Sequence, residues 1–235
     1  MPRKVNPAKI FVCSFGLLPG QISLDTLARL READKVFFIA LEKGLAPFIT
    51  EKCRDREFIG ALPPGEQLRR IFADAAPGKN LAVLTYGDPG FMCNTTAMLS
   101  GECTRRRMRL EVAPAVSSFN ALCALLELNM LSPGGLYMVG ANSFTAGEVR
   151  LDPDVPALVF QADALLRRDM SAARKKFFSA LRRYPPDSPV IVARAKSLFS
   201  PEGGRLVFTA SRAREMLPHL DAASTVYIPG VRKCC

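Results

Sequence analysis

The stretch Asn80-Leu-Ala-Val-Leu-Thr-Tyr-Gly-Asp-Pro-Gly90 is the most informative local feature of this chain. Residues 80–86 are mostly apolar and uncharged, which predicts a buried strand. Gly87, Pro89 and Gly90 then predict a tight turn, since glycine lets a ligand approach the backbone and proline restricts it. Ligands of open α/β sheets bind at the carboxyl ends of strands. We therefore expect either a binding loop at 87–90 or an ordinary strand-to-helix turn.

The residues on both sides of this stretch predict alternating strands and helices. Ser23 is placed to cap a first helix, in which Leu24, Leu27 and Leu30 form the apolar stripe. Strand, helix and parallel strand make the βαβ unit. The predicted strands are 9–13, 35–41, 80–86 and 108–112, and the predicted helices are 23–34, 45–52, 67–75, 95–103 and 118–128.

The periodicity is interrupted over residues 145–156, where Gly147, Pro153 and Pro156 occur. We therefore predict an α/β protein of two αβ domains. The N-terminal domain, residues 1–148, has a mostly parallel sheet, and the C-terminal domain covers residues 149–235. In the second domain the predicted strands are 157–162, 190–193, 206–209 and 224–228, and the predicted helices are 164–184 and 213–217.

A second candidate loop is Pro114-Ala-Val-Ser-Ser-Phe119, which joins a predicted strand to a predicted helix. Ser117 or Ser118 is suited to the helix N-cap. A helix N-terminus also offers free N–H groups to a carboxylate or a carbonyl, so the two interpretations are compatible.

The formal net charge is +10, which favours acidic partners. The cations come in short groups that are typical of solvated helix faces, and an acidic substrate is their leading functional use. The sequence has no tryptophan, and few aromatic residues stand among the cations, so the stacking surface of a single-strand binder is missing. A nucleic-acid partner is therefore disfavoured.

The chain has seven cysteines and one histidine, His219. No C-x-x-C pair occurs, so we expect reduced thiols and no metal site. His219 has no nucleophile motif nearby, which argues against a hydrolytic triad. No apolar run is long enough to span a bilayer, and no signal peptide is evident, so we expect a cytoplasmic protein without a membrane partner. Cys234 and Cys235 do not form a prenylation motif.

Several of these segments resemble the tetrapyrrole (corrin and porphyrin) methylases. The resemblance lies in Leu30-Arg-Glu-Ala-Asp34 with Val36-Phe37-Phe38, in Val83-Leu-Thr-Tyr-Gly-Asp-Pro89, and in Pro114-Ala-Val-Ser-Ser-Phe119. Ala115 replaces the glycine that is usual in the family, and the loop at 14–20 departs from the usual Gly-x-Gly-Pro-Gly-Asp.

One branch of that superfamily, the borosin-type peptide backbone N-methyltransferases, is similar over residues 10–229. The similar segments are Gly20-Gln-Ile-Ser-Leu24, Tyr86-Gly-Asp-Pro-Gly90, Leu158-Val-Phe-Gln161 and Ala223-Ser-Thr-Val-Tyr-Ile-Pro229. The resemblance implies an S-adenosyl-L-methionine-dependent methyltransferase that forms a homodimer and holds the cofactor in a cleft between its two domains. The implied acceptor is a separate peptide.

Site residues follow from the resemblance by matching segments. The cofactor-binding residues that it implies are Tyr86, Asp88, Phe91, Met92, Ser117, Ser118, Gln161, Ala193, Ser224 and Thr225. Tyr86 is also the candidate catalytic residue that faces the acceptor.

Three other functions remain open from the sequence, and a nucleic-acid binder is the last of them. The charge of +10 also fits a tetrapyrrole or another acidic small molecule as the methyl acceptor. The segment 57–67 has no tyrosine and is shorter than its counterpart in the borosin branch, which fits a catalytically inactive cofactor-binding partner protein.

Overall fold

The computed structural model describes residues 7–40, 47–128, 135–146 and 149–231. The chain divides into two compact units, Met1–Ser118 and Phe119–Cys235. The domain boundary predicted between residues 148 and 149 lies further along the chain and stays a prediction. Cys234 and Cys235 lie outside the described residues, as does the predicted start of the helix at 45–52.

The first unit contains a five-stranded sheet whose strand pairs are all parallel. The strands are β1 (Lys9–Ser14), β2 (Lys35–Phe38), β3 (Arg56–Phe58), β4 (Asn80–Thr85) and β5 (Arg109–Val112), in the order β3-β2-β4-β1-β5. The central strands β1 and β4 are buried on both faces, which explains their unbroken apolar runs. β3 was not predicted, because it has only three residues and two of them are charged.

Helices connect each of these strands to the next along the chain, and one more helix follows β5. They are α1 (Leu24–Glu32), α2 (Pro47–Thr50), α3 (Pro64–Ala73), α4 (Asn94–Arg106) and α5 (Ser118–Leu125), which crosses the division into the second unit. The predicted cap of α1 is confirmed, because the Ser23 hydroxyl accepts a hydrogen bond from the Thr26 N–H at 3.1 Å.

The predicted apolar stripe of α1 is wrong at its first position. Leu24 is 85% exposed, whereas Thr26 and Leu30 are buried. Six residues of an α-helix rotate by about 600°, which leaves Leu24 about 120° away from Leu30 around the axis. The helix therefore packs through positions four apart rather than six apart.

The second unit contains a five-stranded mixed sheet. Its strands are β6 (Tyr137–Gly140), β7 (Ala157–Phe160), β8 (Pro189–Arg194), β9 (Gly204–Thr209) and β10 (Ser224–Ile228), in the order β6-β7-β10-β8-β9. β6 and β7 are parallel, and the other pairs are antiparallel. The helices are α6 (Ser143–Ala146) and α7 (Ser171–Leu181). β6 and α6 were not predicted, since each has four residues.

Two helix predictions in this unit need correction. The α-helix predicted over 164–184 begins only at Ser171, because Arg167 is extended (φ −68°, ψ 145°) between two short 3₁₀ segments. The α-helix predicted over 213–217 is part of a 3₁₀ helix, Ala210–His219, that contains Pro218. Proline has no N–H to donate within a helix, so it disfavours a regular α-helix at this point.

Each unit has its own apolar core. Ile10, Phe37 and Val83 are fully buried in the first, and Phe144, Phe177 and Val226 are buried in the second. In the part of the chain that the structure describes, no helix is long and apolar enough to cross a membrane.

Candidate functional site

Three loops of the first unit follow the carboxyl ends of β1, β4 and β5, and hydrogen bonds join them. The Gly87 N–H donates to the Gly16 carbonyl at 2.9 Å, which links the loop after β4 to the loop after β1. The Gly16 N–H in turn donates to the Ser14 hydroxyl oxygen at 2.9 Å. Because β1 and β4 are parallel neighbours with Ser14 opposite Thr85, their loops leave the sheet side by side.

Asp88 connects two of these loops through its carboxylate. One oxygen, Oδ1, accepts from the Gly90 N–H at 2.6 Å, and Oδ2 accepts from the Ala115 N–H at 3.2 Å. The first bond closes the turn after β4, and the second reaches the loop after β5. A side chain predicted to bind the cofactor therefore also braces the two candidate loops against each other.

The loop after β1 is organised by Gln21, which sequence reasoning placed in a matching segment but gave no role. Its Oε1 accepts from the N–H groups of Leu17 at 2.8 Å and Leu18 at 3.1 Å. Gly16 has φ +78°, and a Cβ there would stand 2.8 Å from that same Oε1. The closeness of Gln21 therefore requires glycine at position 16.

Tyr86 directly follows β4 and is half-buried. Its ring centroid lies 6.1 Å from that of Phe15, at an interplanar angle of 58°, so the two rings flank the Gly16–Gly87 contact. Gly87 has φ +67°, and a Cβ there would meet no atom within 4 Å. Free space for a side chain therefore lies beside Gly87, although the residue itself is buried, next to the candidate catalytic tyrosine.

The loop after β4 continues into α4 through Met92. Met92 is 41% exposed and has φ 49°, a left-handed conformation that is uncommon outside glycine. Cys93, at the N-cap of α4, makes no side-chain capping bond. The first N–H groups of α4 are therefore not capped by that side chain.

Thr96, in the first turn of α4, was missed by the sequence analysis. Its Oγ1 is the one buried side-chain polar atom without a hydrogen-bond partner among the described residues. A buried hydroxyl without a partner is costly, and such groups often mark a site that a ligand completes. The Thr95-Thr96 pair directly after a predicted binding loop was the available signal.

The remaining first-unit residues of the prediction lie on these same loops. Ser117 is buried and immediately precedes α5, and Ser118 is the first residue of that helix. The Phe91 N–H donates to the Asp88 carbonyl at 3.0 Å. The two loops joined by the bond between Ala115 and Asp88 thus carry the six predicted residues of the first unit, which are Tyr86, Asp88, Phe91, Met92, Ser117 and Ser118.

The four predicted residues of the second unit lie together at one end of its sheet. Thr225 of β10 is paired with Ala193 of β8, and all three of Ala193, Ser224 and Thr225 are buried. On the other side of β10, Val226 is paired with Val159. Continuing that register places Gln161, which follows β7, opposite Ser224.

Gln161 itself is exposed and has φ 55°. Its Oε1 stands 3.6 Å from where a Cβ at Gly140, the last residue of β6, would lie. Arg107 and Glu127, the other non-glycine residues with positive φ among those described, follow helix ends, where the left-handed conformation is common. Met92 and Gln161 instead precede helices, so the end of a helix does not explain their positive φ. Backbone strain of this kind is most common at functional sites.

The Ser224 hydroxyl is already bonded within this group. It donates to Asp221 Oδ1 at 2.8 Å and accepts from the Asp221 N–H at 3.0 Å. Burial opposes ionisation of Asp221, but the bonds from Ser224 and the charge of Arg194 outweigh it and lower the pKa of the Asp221 carboxyl. The Ser224 side chain therefore holds the turn before β10.

The described residues contain no cluster of three or more His, Cys, Asp or Glu side chains that could hold a metal ion.

Comparison with known proteins identifies a family model that matches this chain. The family model of the tetrapyrrole (corrin/porphyrin) methylases matches residues 13–198. That range covers most of the chain and includes the loops after β1, β4 and β5.

Curated relatives are similar at low identity. A methyltransferase/ribosomally synthesized type I borosin cyclic peptide precursor of Gymnopilus junonius is 23% identical over 89% of this chain. One of the same description from Cerrena unicolor is 23% identical over 88% of this chain. The chain spans about half the length of these relatives, 54% and 55% respectively.

Solved structures show the same fold. Uroporphyrin-III-C-methyltransferase from Thermus thermophilus superposes with a TM-score of 0.65 at 18% identity, covering 95% of this chain and 93% of that protein. The cobalt precorrin-4 methyltransferase structure gives 0.63 at 18% identity and covers 94% of each chain. A further structure of the Thermus thermophilus enzyme, complexed with S-adenosylhomocysteine, gives 0.65 at 16% identity and covers 95% of this chain and 97% of that one. With the family model matching most of its length and two αβ units of the expected kind, this chain belongs to the tetrapyrrole (corrin/porphyrin) methylases.

Proposed function

We propose that the protein is an S-adenosyl-L-methionine-dependent methyltransferase that binds its cofactor at the loops after β1, β4 and β5. The observation that carries the proposal is the hydrogen-bond network of these loops, in which the Gly87 N–H donates to the Gly16 carbonyl and the Asp88 carboxylate accepts from the Ala115 N–H. Membership of a methylase family supports the same chemistry.

The residues present fit the cofactor. Glycine at 87 leaves room for a ligand at the backbone, and the Thr96 hydroxyl has a free hydrogen-bonding capacity in the next turn. We propose Tyr86, Asp88, Phe91, Met92, Ser117 and Ser118 as one group of cofactor contacts, and Gln161, Ala193, Ser224 and Thr225 as a second group.

When bound, S-adenosyl-L-methionine supplies a methyl group on a sulfonium, so the protein needs neither a covalent nucleophile nor a metal. The chain's own task is to orient the acceptor and to keep water away from it. Tyr86 is the residue that we propose to face the acceptor, because it is half-buried and adjoins Gly87, where a Cβ would meet no atom within 4 Å. Its phenol can donate a hydrogen bond to, or accept one from, the acceptor group.

We propose a separate peptide as the acceptor and a backbone amide as the methylated group. The curated relatives support this, since their names join a methyltransferase to a cyclic peptide precursor.

We also propose that the protein is a homodimer in the cytoplasm. Light scattering should then give twice the chain mass of 25.7 kDa, and a mass equal to one chain would contradict the dimer.

A tetrapyrrole or another acidic small molecule is the second candidate acceptor, favoured by the net charge of +10. A third candidate function is an inactive partner protein that binds the cofactor without turnover, favoured by the absence of tyrosine from residues 57–67. Mass spectrometry after incubation with labelled cofactor separates the three, because it reports methylated peptide, methylated small molecule or no methylated product.

The first test of the proposal is isothermal titration of the protein with S-adenosylhomocysteine. We expect Asp88→Ala to weaken binding about tenfold or more, because the Gly90 and Ala115 N–H groups both lose their acceptor. Asp34→Ala is the matched control: Asp34 also accepts from a backbone N–H, that of Asn80, but at the amino end of β4. The affinity of Asp34→Ala for S-adenosylhomocysteine should equal that of the wild type.

Tyr86→Phe tests the catalytic role separately. It keeps the ring against Phe15 and removes only the hydroxyl, so we expect unchanged S-adenosylhomocysteine affinity and methyl transfer slowed by about tenfold or more. A wild-type protein that does not bind S-adenosylhomocysteine would overturn the whole proposal.

A further inference from the structure

The strand β9 (Gly204–Thr209) is the longest edge strand of the two described sheets. The edge strands are β3 and β5 in the first sheet and β6 and β9 in the second. β3 and β5 have three and four residues, two of them charged in each strand, and β6 has four residues. β9 has six residues and a single charge, that of Arg205. Short length and charge protect an edge from pairing with another strand, so β9 is the least protected of these edges.

The backbone of β9 presents half of its polar groups to the outside of the sheet. β9 pairs with β8 in antiparallel register, and the Ala210 N–H, one residue beyond the strand, donates to the Ser188 carbonyl at 2.8 Å. Hydrogen-bonded pairs alternate along an antiparallel ladder, so the even-numbered residues of β9 bond to β8. The N–H and C=O groups of Arg205, Val207 and Thr209 therefore point away from β8. These groups are named here the free edge, and no other described strand pairs with it.

Two apolar side chains of β9 are exposed beside the free edge. Val207 is 63% exposed and Leu206 is 39% exposed. Phe208 packs against the core of the second unit, so Leu206, two residues away, lies on the same face of the sheet and Val207 on the other. β9 thus exposes apolar surface on both faces of an unpaired edge, which is the pattern of a strand that associates with another chain.

We propose that the free edge of β9 pairs with the same edge of a second copy of this chain, about a twofold axis at Val207. The inference rests on the proposed homodimer and names its interface. A twofold interface joins identical surfaces, so Val207 lies opposite Val207 of the second copy, Leu206 opposite Phe208, and Arg205 opposite Thr209. Each odd-numbered pair exchanges two hydrogen bonds, so every N–H and C=O of the free edge gains a partner.

The charge of Arg205 selects this register. With the axis at Val207, the two arginines are four residues apart along the paired strands, or about 14 Å, which exceeds the screening length of about 8 Å at physiological salt. An axis at Arg205 would place two guanidinium groups directly opposite each other, which is destabilising. An axis at Thr209, the last residue of β9, would leave Arg205 outside the pairing. Val207 is therefore the axis that joins the whole edge without opposing like charges.

A second copy fits this edge better than a flexible peptide does. The β9 of a second copy is already held in extended conformation by its pairing with β8, so little further backbone entropy is lost on association. A flexible peptide must lose that entropy residue by residue as it joins the sheet. The second copy also brings an apolar side chain, Phe208, to cover the exposed Leu206.

Cysteine cross-linking tests the register in the full-length protein. In a hydrogen-bonded antiparallel pair the Cα atoms lie about 5.5 Å apart, which a disulfide can span. Val207→Cys should therefore form a covalent dimer under mild oxidation. Thr209→Cys, which is displaced from the axis, should form no more covalent dimer than the wild type, which measures the background from the seven cysteines of the chain.

Analytical ultracentrifugation tests the edge itself. Val207→Lys places two ammonium groups opposite each other at the axis, so we expect the Kd of the dimer to rise about thirtyfold or more. Leu24→Lys is the matched control, because it makes the same change at an apolar residue of the first unit that is 85% exposed. The Kd should change less than about threefold in the control. S-adenosylhomocysteine titration of the same samples shows that they are folded.

The inference is overturned if Val207→Lys dimerises as tightly as Leu24→Lys, or if Val207→Cys and Thr209→Cys cross-link equally. It is also overturned if a labelled extended peptide binds a monomeric wild type and this binding is lost in Val207→Lys, since the edge then serves a peptide strand. A monomeric wild type removes the homodimer and this interface together. S-adenosylhomocysteine binding by that monomer would leave the proposed cofactor site standing.

Discussion

At the residue scale, Thr96 gives the most direct test of the site. Its Oγ1 is buried without a partner, so the hydroxyl destabilises the protein when no ligand is bound. Valine has the same shape without the hydroxyl. Thr96→Val should therefore raise the free energy of unfolding by about 1 kcal/mol, measured by urea denaturation without ligand.

The same substitution has the opposite expected effect on ligand binding. If the hydroxyl bonds to the cofactor, Thr96→Val lowers S-adenosylhomocysteine affinity by about five- to tenfold. Thr95→Val, one position away on α4, is the matched control and should leave the affinity unchanged. Higher stability with unchanged affinity would remove Thr96 from the site.

Substitution of Gly16 tests whether the loop after β1 must pack closely against Gln21. A Cβ at Gly16 would stand 2.8 Å from Gln21 Oε1, and φ is +78°. Gly78 has nearly the same φ, +80°, but a Cβ there would meet nothing within 4 Å. Gly78→Ala therefore measures the backbone strain alone, about 1 kcal/mol.

We expect Gly16→Ala to cost about 2–3 kcal/mol in chemical denaturation, since it adds the displacement of Gln21 to that strain. It should also weaken S-adenosylhomocysteine binding, because the Gly16 carbonyl holds Gly87. Equal costs for the two alanine substitutions would show that Gln21 yields easily and that this contact does not shape the loop.

At the element scale, the amino end of β4 is attached to β2 by a carboxylate. Asp34, just before β2, accepts from the Asn80 N–H at 2.8 Å and pairs with Lys79 at 3.3 Å. These contacts, the Asn80 bond foremost, lower the pKa of the Asp34 carboxyl below its ordinary 3.8. The strand that carries the candidate binding loop is therefore held at both ends.

A lowered carboxyl pKa stabilises the folded state above the unfolded pKa, and the stabilisation is lost as pH falls through the folded pKa. Asp34→Ala should therefore cost about 1 kcal/mol at pH 7, a modest value because the carboxylate is 36% exposed. The difference from wild type should shrink toward zero in acid, as the pH falls through the lowered pKa of the folded state. Urea denaturation at both pH values measures this, and a difference that persists in acid would show that another interaction is responsible.

At the scale of the whole molecule, the proposed cofactor contacts fall into two groups that belong to separate compact units with separate cores. A ligand stabilises only the structure that binds it, by about 2.7 kcal/mol at a concentration one hundred times its Kd. Each group can therefore be tested by itself within the intact chain.

Hydrogen exchange with and without S-adenosylhomocysteine makes that test. We expect slower exchange in the loops at 86–93 and 113–118, and also around Gln161 and in the turn before Ser224. The turn at 76–79, at the amino end of the first sheet, is the internal control and should not change. Protection confined to the first unit would refute the assignment of the second group.

Much of the fold and part of the site follow from the sequence by itself. Buried parallel strands have unbroken apolar runs, so β1 and β4 were predicted to within one residue of their observed ends and β2 from its observed start. The glycine and proline residues after β4 placed the candidate loop at the carboxyl end of a strand, and the motif order indicated the family. These features are local, because each depends on residues that are neighbours in the chain.

Contacts between distant residues were decided only by the tertiary structure. The bond from Ala115 to Asp88, the contact of Gly16 with Gly87, and the burial of the Thr96 hydroxyl depend on the order β4-β1-β5 and on how the loops leave the sheet. The exposure of Leu24 depends on how α1 is rotated against its sheet. Periodicity along a chain specifies which faces are apolar, whereas strand order and register decide which side chains meet, and only folding sets that order.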